Sequence, residues 1–131
     1  MEFNGSVLIA DPCAFVKDED WKESGYGEHL ESFGINKYMI ETTISGDGIY
    51  VVIGADHDEE YGEVAIDSGR IGVFSLEEVL NYNPEFMEEM HERCVTVIEN
   101  FEGEMDYYYD KDTRSLGIGS DGNINILAFK L

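Results

Sequence analysis

The sequence predicts an α+β domain built mostly of antiparallel sheet, with seven to nine short strands and two short helices around residues 76–93. Three observations carry this. Short apolar segments with a period of two recur along the chain, each bounded by Gly, Asp, Asn or Ser. Helical signals are confined to one region, starting at Ser75. Nothing alternates strand and long helix as a parallel sheet requires. At 131 residues a single domain spanning 1–131 is expected, and a chain of this length buries a core without metal or disulfide staples.

The best-specified stretch is 62–80. Val64 and Ile66 alternate with Glu63 and Asp67, the period of a half-buried strand. Asp67-Ser68-Gly69 is turn chemistry, and Ile71, Val73 and Phe74 form the next strand. Ser75-Leu76-Glu77-Glu78 has the form of a capping box, with Phe74 and Val79 at the positions of a hydrophobic staple.

The chain before it opens with an apolar strand from Gly5 to Ala10, stopped by the Asp11-Pro12-Cys13 turn. Residues 18–24 suit a single helical turn, broken at Gly25-Tyr26-Gly27, and 28–33 suit another, closed by Gly34. Tyr38 to Ile44 alternates as a strand, and Ser45 to Gly48 reads as a hairpin loop into the apolar strand Ile49 to Ile53.

After the Ser75 helix, Asn83 and Pro84 suit the cap and first residue of a second helix. Met87, Met90 and Cys94 would form its buried side, and Glu85, Glu88, Glu89 and Glu92 a carboxylate stripe on the other. Val95 to Phe101 is a strand, with Gly103 a turn or bulge. Glu104 to Tyr109 alternates, with Met105, Tyr107 and Tyr109 inward and Glu104, Asp106 and Tyr108 outward. Leu116 to Ile118 and Ile124 to Phe129 complete the strands.

Charge is the outlier. The formal net charge is −21, from 29 acids and 8 bases, and residues 41–110 hold 19 acids against Arg70 and Arg93. Such a field repels nucleic acid and anionic membranes and attracts basic surfaces; it also serves solubility. The acids are interleaved with apolar residues and not gathered in a tail, which argues against disorder. No apolar run approaches the ~20 residues that span a bilayer. The start carries no signal-peptide pattern, and two cysteines make no disulfide framework, so a cytosolic location is expected.

Chemistry is sparsely signalled. Cys13 with His29, His57 or His91 would make a nucleophile and base, yet a small buried thiol fits the residue better. Asp110-Lys111-Asp112 begins like a calcium loop but fails at Arg114 and Ser115. The loop Asp56, Asp58, Glu59, Glu60 suits a solvated acidic surface better than a cation site. No cofactor and no metal site is expected. The candidate partner-binding residues are therefore Glu85, Glu88, Glu89, Glu92, Glu102, Glu104, Asp106, Asp56, Asp58, Glu59 and Glu60, with Tyr108 as an aromatic contact beside them.

Gly5-Ser6-Val7-Leu8-Ile9-Ala10-Asp11-Pro12-Cys13 with Trp21, then Asp67-Ser68-Gly69, Ile71 to Phe74 and Glu78 to Pro84, resembles small uncharacterised proteins of bacteriophages and prophages. The resemblance covers most of the first two-thirds of the chain. It implies a phage or mobile-element origin and a bacterial host cytosol, and brings no catalytic residue with it. Many small acidic phage proteins bind host defence enzymes at their nucleic-acid grooves. The expected function is accordingly a non-enzymatic DNA mimic that inhibits a host defence nuclease, a CRISPR effector for example (an anti-CRISPR), by occupying its basic groove. The alternatives are a small cytosolic enzyme using Cys13, and an ion- or ligand-binding module of phage origin.

Concentrated negative charge opposes compaction, and salt shortens its reach. The melting temperature should therefore rise between low and moderate salt. A scan that stays flat, and remains flat with a chelator present, would show that the repulsion is already compensated.

Overall fold

In the computed structural model, nine strands among the described residues lie in two antiparallel sheets. The structure describes residues 1–43, 46–54, 60–110, 115–118 and 124–129, with side chains described as far as Tyr107. The strands are β1 (Glu2–Ala10), β2 (Tyr38–Thr42), β3 (Gly48–Gly54), β4 (Glu60–Ile66), β5 (Arg70–Ser75), β6 (Thr96–Glu104), β7 (Tyr107–Asp110), β8 (Ser115–Ile118) and β9 (Ile124–Phe129). Two short helices, α1 (Leu76–Tyr82) and α2 (Phe86–Glu89), lie between β5 and β6. The first sheet has the order β2-β5-β1-β6, the second β4-β3-β9-β8-β7. Among the described residues no helix is long and apolar enough to cross a membrane.

The first sheet is covered on one face and over the Leu8–Ala10 end of the other. Phe3, Val7 and Ile9 of β1 and Ile71 and Val73 of β5 meet Tyr50, Val52, Val64 and Ile66 of the second sheet. On the opposite face Leu8, Ala10 and Phe74 pack under Phe15, Leu30, Ile35, Val79 and Phe86. This explains why Val7-Leu8-Ile9-Ala10 is apolar without alternation: a strand buried on both faces needs apolar residues at every position. All four are fully buried.

The chain changes sheet three times, from β2 to β3, from β4 to β5 and from β6 to β7. The expected 45–48 hairpin is corrected accordingly. β2 pairs with β5, and β3 with β4 and β9, so this connection is a corner between sheets. Thr43 holds it: its N–H donates to Gly69 O at 2.9 Å, and its Oγ1 donates to Gly46 O at 2.8 Å. Likewise the alternation of 104–109 is not one strand. β6 ends at Glu104 and β7 begins at Tyr107 in the other sheet.

The 67–69 corner between β4 and β5 is built around Asp11. Asp11 is 1% exposed. Its Oδ1 accepts from Cys13 N (2.9 Å) and Ser68 Oγ (2.7 Å), and its Oδ2 from Asp67 N (2.8 Å) and Ser68 N (2.7 Å). One carboxylate thus caps its own 3₁₀ turn, Pro12–Ala14, and a turn 56 residues away. Gly69, at φ 72°, supplies the left-handed residue that lets the chain turn back.

Ser75 caps α1 as expected, its Oγ accepting from Glu78 N at 3.4 Å. The reciprocal half of the capping box is absent. Ser75 N donates to Lys37 O, while Glu78 Oε1 accepts from Asn36 N and Lys37 N at 2.7 and 2.8 Å. The residues before β2 sit within reach and take both partners. The second helix also differs. Asn83 does not cap it; its Nδ2 donates to Phe15 O, 2.9 Å away. α2 is one turn long and buries Phe86, next to Phe15, so Met87 points outward at 59% exposure. Gly34 closes its turn in the left-handed region as expected, at φ 87°. Gly103 continues β6, and the bulge lies instead where Gly5↔Phe101 gives way to Val7↔Ile98, with Asn100 at φ 55°.

Removing the Asp11 carboxylate leaves part-buried donors unpaired at two corners. Asp11→Ala should cost on the order of 3 kcal/mol in urea unfolding, with Asp11→Asn intermediate because it keeps one acceptor oxygen. A loss below ~1 kcal/mol for Asp11→Ala would show that the corners hold without it.

Candidate acidic interface

The outer face of the first sheet is covered by helix at one end only. In β1 the alternation sends Phe3, Val7 and Ile9 toward the second sheet, so Glu2, Asn4 and Ser6 point the other way. Register then brings Glu104 opposite Glu2, and Glu102 opposite Asn4. Directly paired residues share a face with Cβ atoms ~5 Å apart. Phe101 and Met105 turn inward to the inter-sheet core, which fixes Glu102 and Glu104 outward.

This row borders a cavity of about 530 Å³ between the start of β1 and the first turn of α1. Glu2, Asn4, Ser6, Lys37, Glu77 and Asn81 line it. Glu102 and Glu104 extend the same face along the edge strand β6. The cations here are few: Lys37, and the N-terminal ammonium 3.7 Å from Glu104 Oε2. Among the described residues only two other ion pairs are formed, Arg70 with Glu28 and Arg93 with Glu89. Among the described residues the charge on this face is thus largely uncompensated.

The remaining candidates do not gather here. Glu85 and Glu89 border a separate cavity of about 660 Å³ that also holds Cys13, Lys17 and Arg93, a mixed and partly neutralised environment. Glu88 and Glu92 are exposed nearby in sequence, but α2 ends at Glu89, so no helical stripe of four carboxylates exists. Glu60 is exposed at the start of β4 in the second sheet. Asp106 is exposed between β6 and β7, its Oδ1 accepting from Tyr107 N. Asp56, Asp58 and Glu59 lie outside the described residues. Tyr108 pairs through its backbone with Gly117, and its side chain lies outside them too. Glu2 and Glu77 are the acids that the sequence pattern missed. Glu2 lies before the expected strand start at Gly5, and only the cross-strand register reveals it.

Three buried or half-buried groups have the largest upward shifts in pKa. Burial pushes the Cys13 thiol up to about 12, helped by its hydrogen bond to Asp11 and the charges of Asp11 and Asp67. A thiol held protonated at neutral pH is a poor nucleophile. Tyr82, whose hydroxyl donates to Asp20 Oδ2 at 2.6 Å, is pushed up to about 12 by burial and by that carboxylate. Tyr107 is raised further by deep burial, its hydroxyl shared between Met39 O and Ile71 O.

No family model, curated protein or solved structure matches the chain.

Each of these groups keeps its proton better in the folded than in the unfolded chain. Their contribution is complete below the ordinary thiol and phenol pKa values, 9.0 and 10.0, and is lost as pH rises through the folded values. Stability should therefore fall between pH 9 and 12. Tyr82→Phe should flatten part of that fall in urea unfolding at stepped pH. An unchanged slope would remove Tyr82 from the account.

Proposed function

We propose that this chain is a non-enzymatic acidic ligand that occupies the basic nucleic-acid-binding groove of another protein, as a mimic of DNA. The observation that carries it is the row formed by Glu2, Glu102 and Glu104 with Glu77 across the cavity, an ordered anionic face with few cations of its own. Carboxylates at every second residue of a strand stand about 6.7 Å apart, a regular spacing for Lys and Arg side chains to meet. Complementary fields of this kind steer encounter and suppress wrong partners. The resemblance of 5–21 and 67–84 to phage proteins supports a host defence nuclease, a CRISPR effector for example, as the partner, in a bacterial cytosol. The thiol of Cys13, raised to about 12, weighs against an enzyme built on that residue.

Host defence nucleases should be offered a labelled duplex and the chain together. The parent should displace the duplex from its target, with an affinity that falls steeply as salt rises. Changing Glu102, Glu104 and Asp106 to Lys should leave circular dichroism unchanged, since all three are exposed. It should weaken displacement at least about tenfold, mainly through slower association. A charge-reversed variant that displaces the duplex as well as the parent, with the same salt slope, would leave the acids a solubility feature.

A further inference from the structure

Trp21, the single tryptophan, is half-buried and walls a cavity of about 380 Å³ with Val16, Cys13, Ser68, Asp18 and Asp67. The walls divide by chemistry. Val16, the Cys13 side chain and the indole are apolar or soft, while Asp18 and Asp67 are exposed carboxylates with no ion pair among the described residues. An apolar and aromatic wall beside two carboxylates suits a long aliphatic stem ending in a planar cation.

The indole is held in place by a strained loop. Gly25, Tyr26 and Gly27 all have left-handed backbone, at φ 64°, 60° and 87°. For a tyrosine that conformation is costly and persists only where the surroundings impose it. Here they do. Tyr26 N donates to Trp21 O, Gly27 N to the buried Ser24 Oγ, and Arg70 Nη1 to Tyr26 O at 2.8 Å. A Cβ on Gly27 would lie 2.7 Å from Pro12 Cβ and 2.9 Å from Trp21 Cζ3, so the loop packs directly on the indole. The Tyr26 ring meets Trp21 edge-on, with centroids 6.5 Å apart. The strain fixes an aromatic wall in advance of any ligand, which lowers the ordering cost of binding.

We propose that this cavity receives an arginine side chain from the basic partner, stacked on Trp21 and paired with Asp18 and Asp67. The proposal rests on the partner's basic character argued above and adds a second, residue-specific contact to it. Arginine is favoured over lysine because its guanidinium is planar, weakly hydrated and stacks on aromatic faces while donating in a fork.

Trp21 fluorescence reads the site directly. Titrated with nona-arginine and with nona-lysine at equal ionic strength, the intact chain should show a fluorescence change with nona-arginine and bind it on the order of tenfold tighter. Asp18→Asn with Asp67→Asn should abolish most of that preference at an unchanged melting temperature. Asp18→Asn alone, outside the 67–69 corner, should reduce it by part. Glu102→Lys with Glu104→Lys should weaken both peptides alike and leave the saturated fluorescence change intact. Equal affinity for the two peptides, or a preference that survives the double Asn variant, would overturn the proposal. Duplex displacement that persists in that case would leave the acidic-ligand function standing. A retained arginine preference without displacement would sink that function and leave this site.

Discussion

The fold depends on where one buried carboxylate finds its donors. Asp11 follows the strand at the centre of the first sheet and accepts four hydrogen bonds, three from donors in the 67–69 corner and one from the backbone of its own turn. Without these acceptors, backbone N–H groups at a part-buried corner would be left unpaired, a cost comparable to the hydrogen bonds themselves. The corner in turn decides that β4 and β5 enter different sheets. The Thr43 bonds to Gly69 O then seat the end of β2 against it. Two of the three sheet crossings therefore meet around Asp11, and the inter-sheet core of Val7, Ile9, Val64, Ile66, Ile71 and Val73 follows from their placement.

The same device recurs wherever the chain must hold a negative charge with few cations at hand. Glu78 is satisfied by two backbone N–H groups of 36–37, Asp106 by Tyr107 N and Glu41 by Thr42 N. Backbone amides stand in for the lysines and arginines that the composition lacks. Bonds to ionised acceptors are stronger than neutral ones, so a chain with 8 bases still anchors its loops. Among the described residues most of the other acids are exposed, where water screens them.

Much of this was legible in the residues. The fully buried run at 7–10, the Ser75 start of α1, the left-handed Gly34 and the span of β9 all follow from local pattern, because each is set by its own neighbours. Sheet membership was not legible. Ser45 to Gly48 has the composition of a hairpin loop, but composition records that the chain reverses and not which strand it meets next. The Glu78 half of the capping box failed for a related reason: a long-range partner, the 36–37 backbone, outcompeted the local one. In 83–94 the helical period favoured Met87 as the buried residue. A single turn of helix has no sustained face, and the larger Phe86 took the space beside Phe15.

The candidate interface lay beyond sequence pattern for the same reason that it is of interest. Glu102 and Glu104 were visible as outward residues of a strand, but their neighbour Glu2 is a hundred residues away and is brought in by register alone. Like charges placed directly across a sheet are unfavourable, and the N-terminal ammonium relieves only the Glu104 end of the row. A fold under selection for stability alone would gain from a lysine at residue 2 or 102, a substitution that needs no repacking because both positions are exposed. The chain keeps acids at both, and beyond the other end of β1, beside Pro12, it holds a tyrosine in a left-handed conformation against its only tryptophan. Both are local costs at the molecular surface, of the kind that the contacts of the proposed partner would offset.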